Sequence, residues 1–185
     1  SGRDIDLTGG GSGAFQITAD HTANFNGRVK TLAGGLIGGT GADIDNIVDS
    51  DVTAKVGDSV KVYAKDIAID AVNRARKELS GANIEGEAGG IVAGGSASSK
   101  TLLNFTTLVT VGNNTALEVV GNLSSPGNFK IKAYNDFILK DKVTFTAGGG
   151  LSGLGAYSTI ETTKDLARVQ VGNADLKSVG AINIS

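Results

Sequence analysis

Phe129-Lys130-Ile131-Lys132-Ala133 alternates apolar with polar residues, and the pattern recurs along the chain. Phe15-Gln16-Ile17-Thr18-Ala19 and Ile67-Ala68-Ile69-Asp70-Ala71 are earlier copies, and Ile182-Asn183-Ile184-Ser185 opens a fourth. A period of two places Phe129, Ile131 and Ala133 on one face of a strand and Lys130 and Lys132 on the other. Two more landmarks follow in fixed order. Ala33-Gly34-Gly35, Ala88-Gly89-Gly90 and Ala147-Gly148-Gly149 form the second. Val56-Gly57-Asp58, Val111-Gly112-Asn113 and Val171-Gly172-Asn173 form the third. The first-to-second steps are 18, 21 and 18 residues, and the second-to-third steps are 23, 23 and 24. The steps onward to the next strand are 11, 18 and 11. Constant order at near-constant spacing marks an internal repeat, with modules 15–66, 67–128 and 129–181. The middle module carries three extra residues between Ala71 and Ala88. It carries seven more around Gly121-Asn122-Leu123-Ser124-Ser125-Pro126-Gly127, a turn-rich string that reads as a loop.

The same alternation precedes the third landmark, at Val52, Ala54, Val56 and their counterparts Thr107, Val109, Val111 and Ala167, Val169, Val171. Before the second landmark, Val29 and Thr31 align with Ile84 and Gly86 and with Val143 and Phe145. Each module thus supplies at least three short strands with one apolar face, which a single module cannot bury by itself. Stacking copies along an axis buries it and pairs the strand edges. The expected fold is all-β: a right-handed parallel β-helix (β-solenoid) of about three degenerate modules, with two or three turns per module. A β-sandwich is the alternative, but it does not call for this register. The glycine-rich runs 33–41 and 88–95 fit either flat strands or wide loops. Asp70 to Ser80 holds good helix formers, with Gly81 as a stop and Ala71, Ala75 and Leu79 on one helical stripe. A short helix or charged loop is expected at 71–80, with Arg74, Arg76 and Lys77 pointing outward.

The chain has 185 residues and a net charge of −2, which argues against a nucleic-acid partner. Absence of cysteine excludes disulfides and thiolate chemistry, and the single His21 excludes a multi-histidine zinc site. Glycine is 28 residues and proline one, so neither collagen nor a disordered tail fits. No apolar run approaches a membrane helix. The Ser-Gly-Arg start and the opening fourth copy lead to the expectation of one repeat-array segment over 1–185, cut from a longer protein. As a fragment it should be a soluble monomeric rod.

The alanine/glycine-rich strand, the Val-Gly-Asp/Asn turn and the Ile-x-Ile-x-Ala strand resemble repeats of large exported bacterial adhesins and leukotoxins. These are the filamentous-haemagglutinin-like proteins of two-partner secretion, and the repeats are most similar to the fusobacterial leukotoxin type. The resemblance covers about residues 5–185. It implies a β-helical shaft, secreted or held at the bacterial cell surface, and exported through an outer-membrane transporter. The partner would be a receptor on a host or bacterial cell. No catalytic residue is carried over, because the matched positions are glycine turns and core aliphatics, and no cofactor is expected. The expected function is a structural and adhesive shaft module, not an enzyme. A scaffold segment of a secreted cytolysin is the alternative, and a polysaccharide-active β-helix enzyme the third.

Gly38-Gly39-Thr40-Gly41-Ala42-Asp43-Ile44-Asp45 is similar to a single calcium-binding nonapeptide, which makes Asp43 and Asp45 a weak calcium candidate, with Asp49 and Asp51 nearby. A solvated acidic loop is the plainer expectation. His21 beside Asp20 reads as a surface residue. Glycan cleavage would need clustered carboxylates, and Asp66, Asp70, Glu85 and Glu87 are scattered in sequence. Asn26-Gly27-Arg28 reads as a turn, and the glycosylation patterns at Asn104, Asn113 and Asn122 are expected by chance.

Overall fold

The computed structural model describes residues 3–8, 13–78 and 83–185. Twelve strands and no helix occur among these residues. They are β1 (Arg3–Asp6), β2 (Ala14–Asn24), β3 (Val29–Ala33), β4 (Ile37–Val56), β5 (Val60–Ala64) and β6 (Asp66–Lys77). Then follow β7 (Ile84–Val111), β8 (Thr115–Val119), β9 (Phe129–Leu139), β10 (Val143–Val171), β11 (Ala174–Ser178) and β12 (Ile182–Ile184). All pairings between these strands are parallel. Sheet 1 runs β1-β5-β8-β11, and sheet 2 runs β12-β9-β6-β2. Sheet 3 has β7 at its centre, with β10 on one side and both β3 and β4 on the other. The chain visits the three sheets in cyclic order.

The landmarks stack as the spacing predicts. Phe15 pairs with Ile67, Ile67 with Phe129, and Phe129 with Ile182. Ala88 lies between Ala33 and Ala147, and Val111 between Val56 and Val171. Among the described residues no two strands within 15–66, 67–128 or 129–181 pair with each other, so the expectation of two or three turns per module is corrected to one pass through the three sheets. The three extra residues fall between Arg76 and Ile84, since Asn24 pairs with Arg76 and Val29 with Ile84. The seven extra residues form a loop closed by an Asn122–Ser125 bridge, in which the Asn122 Oδ1 accepts the N–H groups of Ser124 and Ser125. The twenty-fourth residue of the last step is taken up in a bulge between Thr162 and Lys164.

Each landmark has a physical reason. In the second, the latter glycine has positive φ in every copy: +130° at Gly35, +146° at Gly90 and +147° at Gly149. A Cβ on Gly90 would stand 2.0 Å from the Gly35 carbonyl oxygen, and one on Gly149 would stand 1.8 Å from that of Gly90. Backbone conformation and the stacked neighbour both demand glycine there. The former glycine of each pair, Gly34, Gly89 or Gly148, faces open space. In the third landmark, Asp58 Oδ1 accepts the Asn113 N–H at 2.7 Å, and Asn113 Oδ1 accepts the Asn173 N–H at 2.9 Å. This is a side-chain ladder that ties one rung to the next. The glycine beneath it leaves the ladder room, since a Cβ on Gly172 would meet Asn113 Oδ1 at 2.6 Å.

The main core lies between the three sheets and consists of the aligned aliphatics, including Val56, Val62, Ile69, Val109, Leu117 and Ile131. A second cluster, Ala75, Leu103 and Phe105, continues it between sheets 2 and 3, with the Phe105 and Phe137 rings edge to face at 5.1 Å. Beyond that, the chain runs out along β3, turns at Gly34–Leu36 and returns along β4. The two limbs close into a thin fin around Ala33, Ala88 and Ala93. They approach closely, for a Cβ on Gly38 would be 3.4 Å from that of Ala33. The glycine-rich runs are therefore strands folded about a corner, not wide loops.

The helix expected at 71–80 is overturned where the structure describes it. Residues 71–77 are the second half of β6, paired on one side by β2 and on the other by β9. Leu79, Ser80 and Gly81 lie outside the described residues. Paired backbone on both edges outweighs helix propensity, which is worth only about 0.5 kcal/mol per residue. The stripe Ala71, Ala75 was ambiguous because a spacing of four also satisfies a period of two. Ala71, Asn73, Ala75 and Lys77 all point inward and are buried.

Candidate functional site

Polar side chains collect in two places between the sheets and on the outer faces. The first is a seam in sheet 2, where exposed His21, buried Asn73 and half-buried Asn135 stack in register. Ser50 from β4 donates to Asn73 Oδ1 at 2.9 Å and lies 2.9 Å from His21 Nδ1. Asn73 Nδ2 donates to the Ser50 carbonyl at 3.1 Å. One rung on, Thr107 donates to Asn135 Oδ1 at 2.5 Å, and Asn135 Nδ2 donates to Asp165 at 2.5 Å. His21 thus has partners that its sequence neighbours did not reveal. A Ser–His contact is the beginning of a nucleophile and base. Here, however, Nδ1 faces both Ser50 and Asn73, and the position is the first-rung version of a repeated bridge between two sheets. The signal was present in the sequence: each seam residue lies six positions after the first landmark residue, Phe15, Ile67 or Phe129.

The second interior feature centres on Lys77, which is wholly buried rather than outward as expected. Its Nζ lies 2.5 Å from Asp141 Oδ1 and donates to Thr101 Oγ1 at 3.0 Å and Ser99 Oγ at 3.2 Å. Asn83 Nδ2 donates to the same Asp141 oxygen at 2.6 Å, and the Ser158 hydroxyl donates to the other. Burial pushes the Asp141 carboxyl up, but hydrogen bonds from Lys77, Ser158 and Asn83 and the Lys77 charge outweigh it and hold the group below its usual range.

On the outer face of sheet 2, Arg74 pairs with Asp20 at 2.5 Å and donates to Tyr134 Oη at 3.2 Å. Arg76 pairs with Asp136, and Lys132 sits 3.9 Å from the centre of the Tyr134 ring. Arg74 and Arg76 are therefore turned outward as expected, on a strand and not on a helix. The Asp20 hydrogen bond raises the Arg74 pKa.

Asp43 and Asp45 lie on the outer face of β4, in line with Asp49 and Asp51. The stretch 38–45 is extended and paired to β7, so neither the glycine turns of a calcium nonapeptide nor an acidic loop is present. Asp43 instead accepts a hydrogen bond from Ser98 at 2.5 Å. Among the described residues no group of three or more histidine or acidic side chains could hold a metal ion. A shallow depression of about 220 Å³ lies beside this pair, lined by Asp43, Ser96, Ser98 and Tyr157.

The scattered acids do not assemble. Asp66 accepts two hydrogen bonds from Asn128 at a corner, and Asp70 pairs with Lys130 at 3.0 Å, both on sheet 2. Glu85 and Glu87 lie on sheet 3 and share Lys30 at 3.9 and 2.9 Å. Gly27 of Asn26-Gly27-Arg28 backs onto β4, where a Cβ would come within 2.9 Å of Ile44 and Asn46. Leu36 (73% exposed), Ile37 (83%) and Ile91 (62%) form an apolar ridge along the fin edge. No family model, curated protein or solved structure matches the chain.

Proposed function

We propose that the chain is a structural and adhesive shaft segment, a right-handed parallel β-helix of three modules in a large exported bacterial adhesin. One observation carries this reading. The residues that recur between modules are those whose side chains or missing side chains make one rung fit the next. Gly90 and Gly149 clear the carbonyl below, Asp58 and Asn113 form the ladder, and the aliphatics stack like on like. Repetition is spent on extension along an axis, and the outward rows vary freely. Right-handedness follows from the general rule for parallel crossover connections. Rungs about 4.8 Å apart convert chain length into reach. The outer rows, among them the Asp43–Ser98–Tyr157 depression and the fin ridge, are the surface offered to a receptor on another cell. Three rungs at that spacing span only about 15 Å, so the shaft is read from extension: a tandem of two copies should lengthen by about 15 Å at constant cross-section in solution scattering, and beads coated with the protein should bind epithelial or bacterial cells in a saturable way. No lengthening in the tandem would refute the shaft. Beads that bind no better than albumin-coated ones on either cell class would refute adhesion.

A further inference from the structure

Lys77 interrupts an apolar row. It pairs in register with Leu139 on one side, and Phe25 occupies the matching place on the other, where its N–H bonds the Arg76 carbonyl. A lysine here loses its water and depends on the polar groups around it. Its companions are arranged for more than charge balance. Lys77 Nζ and Asn83 Nδ2 sit on the same oxygen, Asp141 Oδ1, at 2.5 and 2.6 Å. The Asn83 amide oxygen accepts the Lys142 backbone N–H at 2.7 Å. Asn83, like Lys77, is wholly buried. An amine, an amide with its oxygen already polarised, and a carboxylate touching both nitrogens make a complete set for amide exchange.

We infer that Lys77 and Asn83 join in an intramolecular amide bond, with Asp141 as the proton carrier. Asp141 takes a proton from Lys77, and the neutral Nζ attacks the Asn83 carbonyl carbon. Negative charge gathers on the amide oxygen against the Lys142 N–H. Asp141 then returns the proton to Nδ2, the bond from carbon to Nδ2 breaks, and the departing ammonia carries away the second proton that Nζ sheds, leaving as ammonium. The Nζ–carbon bond replaces it, with no oxidant, cofactor or energy source needed. The carboxylate is regenerated, and the buried cation becomes a neutral amide in the row between Phe25 and Leu139. The bond fastens the end of β6 to the start of β7 at the corner that holds the three extra residues, and it stands independently of the adhesive reading.

Intact-mass spectrometry of the purified protein decides it. The expected mass is lower than the sequence mass by one ammonia. Trypsin should fail to cut after Lys77, and the fragment spectrum of the resulting peptide should lack backbone breaks between Lys77 and Asn83. Asp141→Ala and Asn83→Ala should each restore the sequence mass and cleavage after Lys77. Wild-type protein at its full sequence mass, after incubation for days at neutral pH, overturns the inference without reference to any variant. Loss of water mapped to Lys77 and Asp141 overturns it equally, by making the carboxylate the acceptor.

Discussion

The main core and the fin obey one register but are packed by opposite means. In the core, Val62, Ile69, Val109, Leu117 and Ile131 fill the space between sheets and hold them apart. In the fin, Ala33, Ala88 and Ala93 let two limbs of sheet 3 nearly touch, and larger side chains are turned out as the Leu36, Ile37 and Ile91 ridge. Parallel pairing from rung to rung is the same in both regions, as the unbroken Val143–Gly149 and Leu151–Thr162 registers of β10 on β7 show. Side-chain size therefore sets the cross-section, while backbone pairing sets the axis. A core of large aliphatics should tolerate lost volume poorly and buried charge worse. A fin of alanine and glycine should be sensitive chiefly to added atoms.

The largest effect is expected in the core. Val109→Asp buries a charge with no partner and should cost about 4 kcal/mol or more, read by chemical denaturation. Lys55→Asp, on the outer face of β4, should change stability by less than about 0.5 kcal/mol. Equal losses would erase the distinction between inner and outer faces. Next come the fin corners. Gly90→Ala should cost about 3 kcal/mol, from strain at positive φ and collision with the Gly35 carbonyl. Gly89→Ala, where a Cβ meets nothing, should be within about 0.5 kcal/mol of neutral. Thermal melts of the pair separate a demanded glycine from a tolerated one, and similar melts would contradict the corner geometry. The smallest effect belongs to the ladder that both regions share. Asn113→Ala removes one hydrogen bond to Asn173 and should cost about 1 kcal/mol, while Asn113→Asp, which keeps the accepting oxygen, should recover most of it.

Much of the axis was legible in the sequence, because stacked copies must keep equal spacing and glycines must recur where a carbonyl lies overhead. The loop at 121–127 was legible for the same reason, as an excess over the spacing. The cross-section was not. Whether residues 33–41 bend back on themselves depends on which faces of two strands meet, and alanine and glycine carry little pattern. Lys77 was misplaced because Arg74, Arg76 and Lys77 look alike in sequence, and strand parity, not charge, sends only Lys77 inward. The His21–Asn73–Asn135 seam was hidden because the three residues differ in kind and share only a register. Asp43 and Asp45 lost their calcium reading once a strand replaced the turn.

Rung stacking is tested most directly by paired cysteines, since the native chain has none. Asp45 pairs with Lys100, and Lys100 with Thr159, all on the outer face. Neighbouring parallel strands about 4.8 Å apart lie within disulfide reach, and strands two rungs apart, at about 9.6 Å, do not. Under mild oxidation, the Asp45→Cys, Lys100→Cys protein should form an intramolecular disulfide and keep its melting temperature. The Asp45→Cys, Thr159→Cys protein should stay reduced. A disulfide in the second protein and none in the first would contradict the stacked register on which the shaft depends.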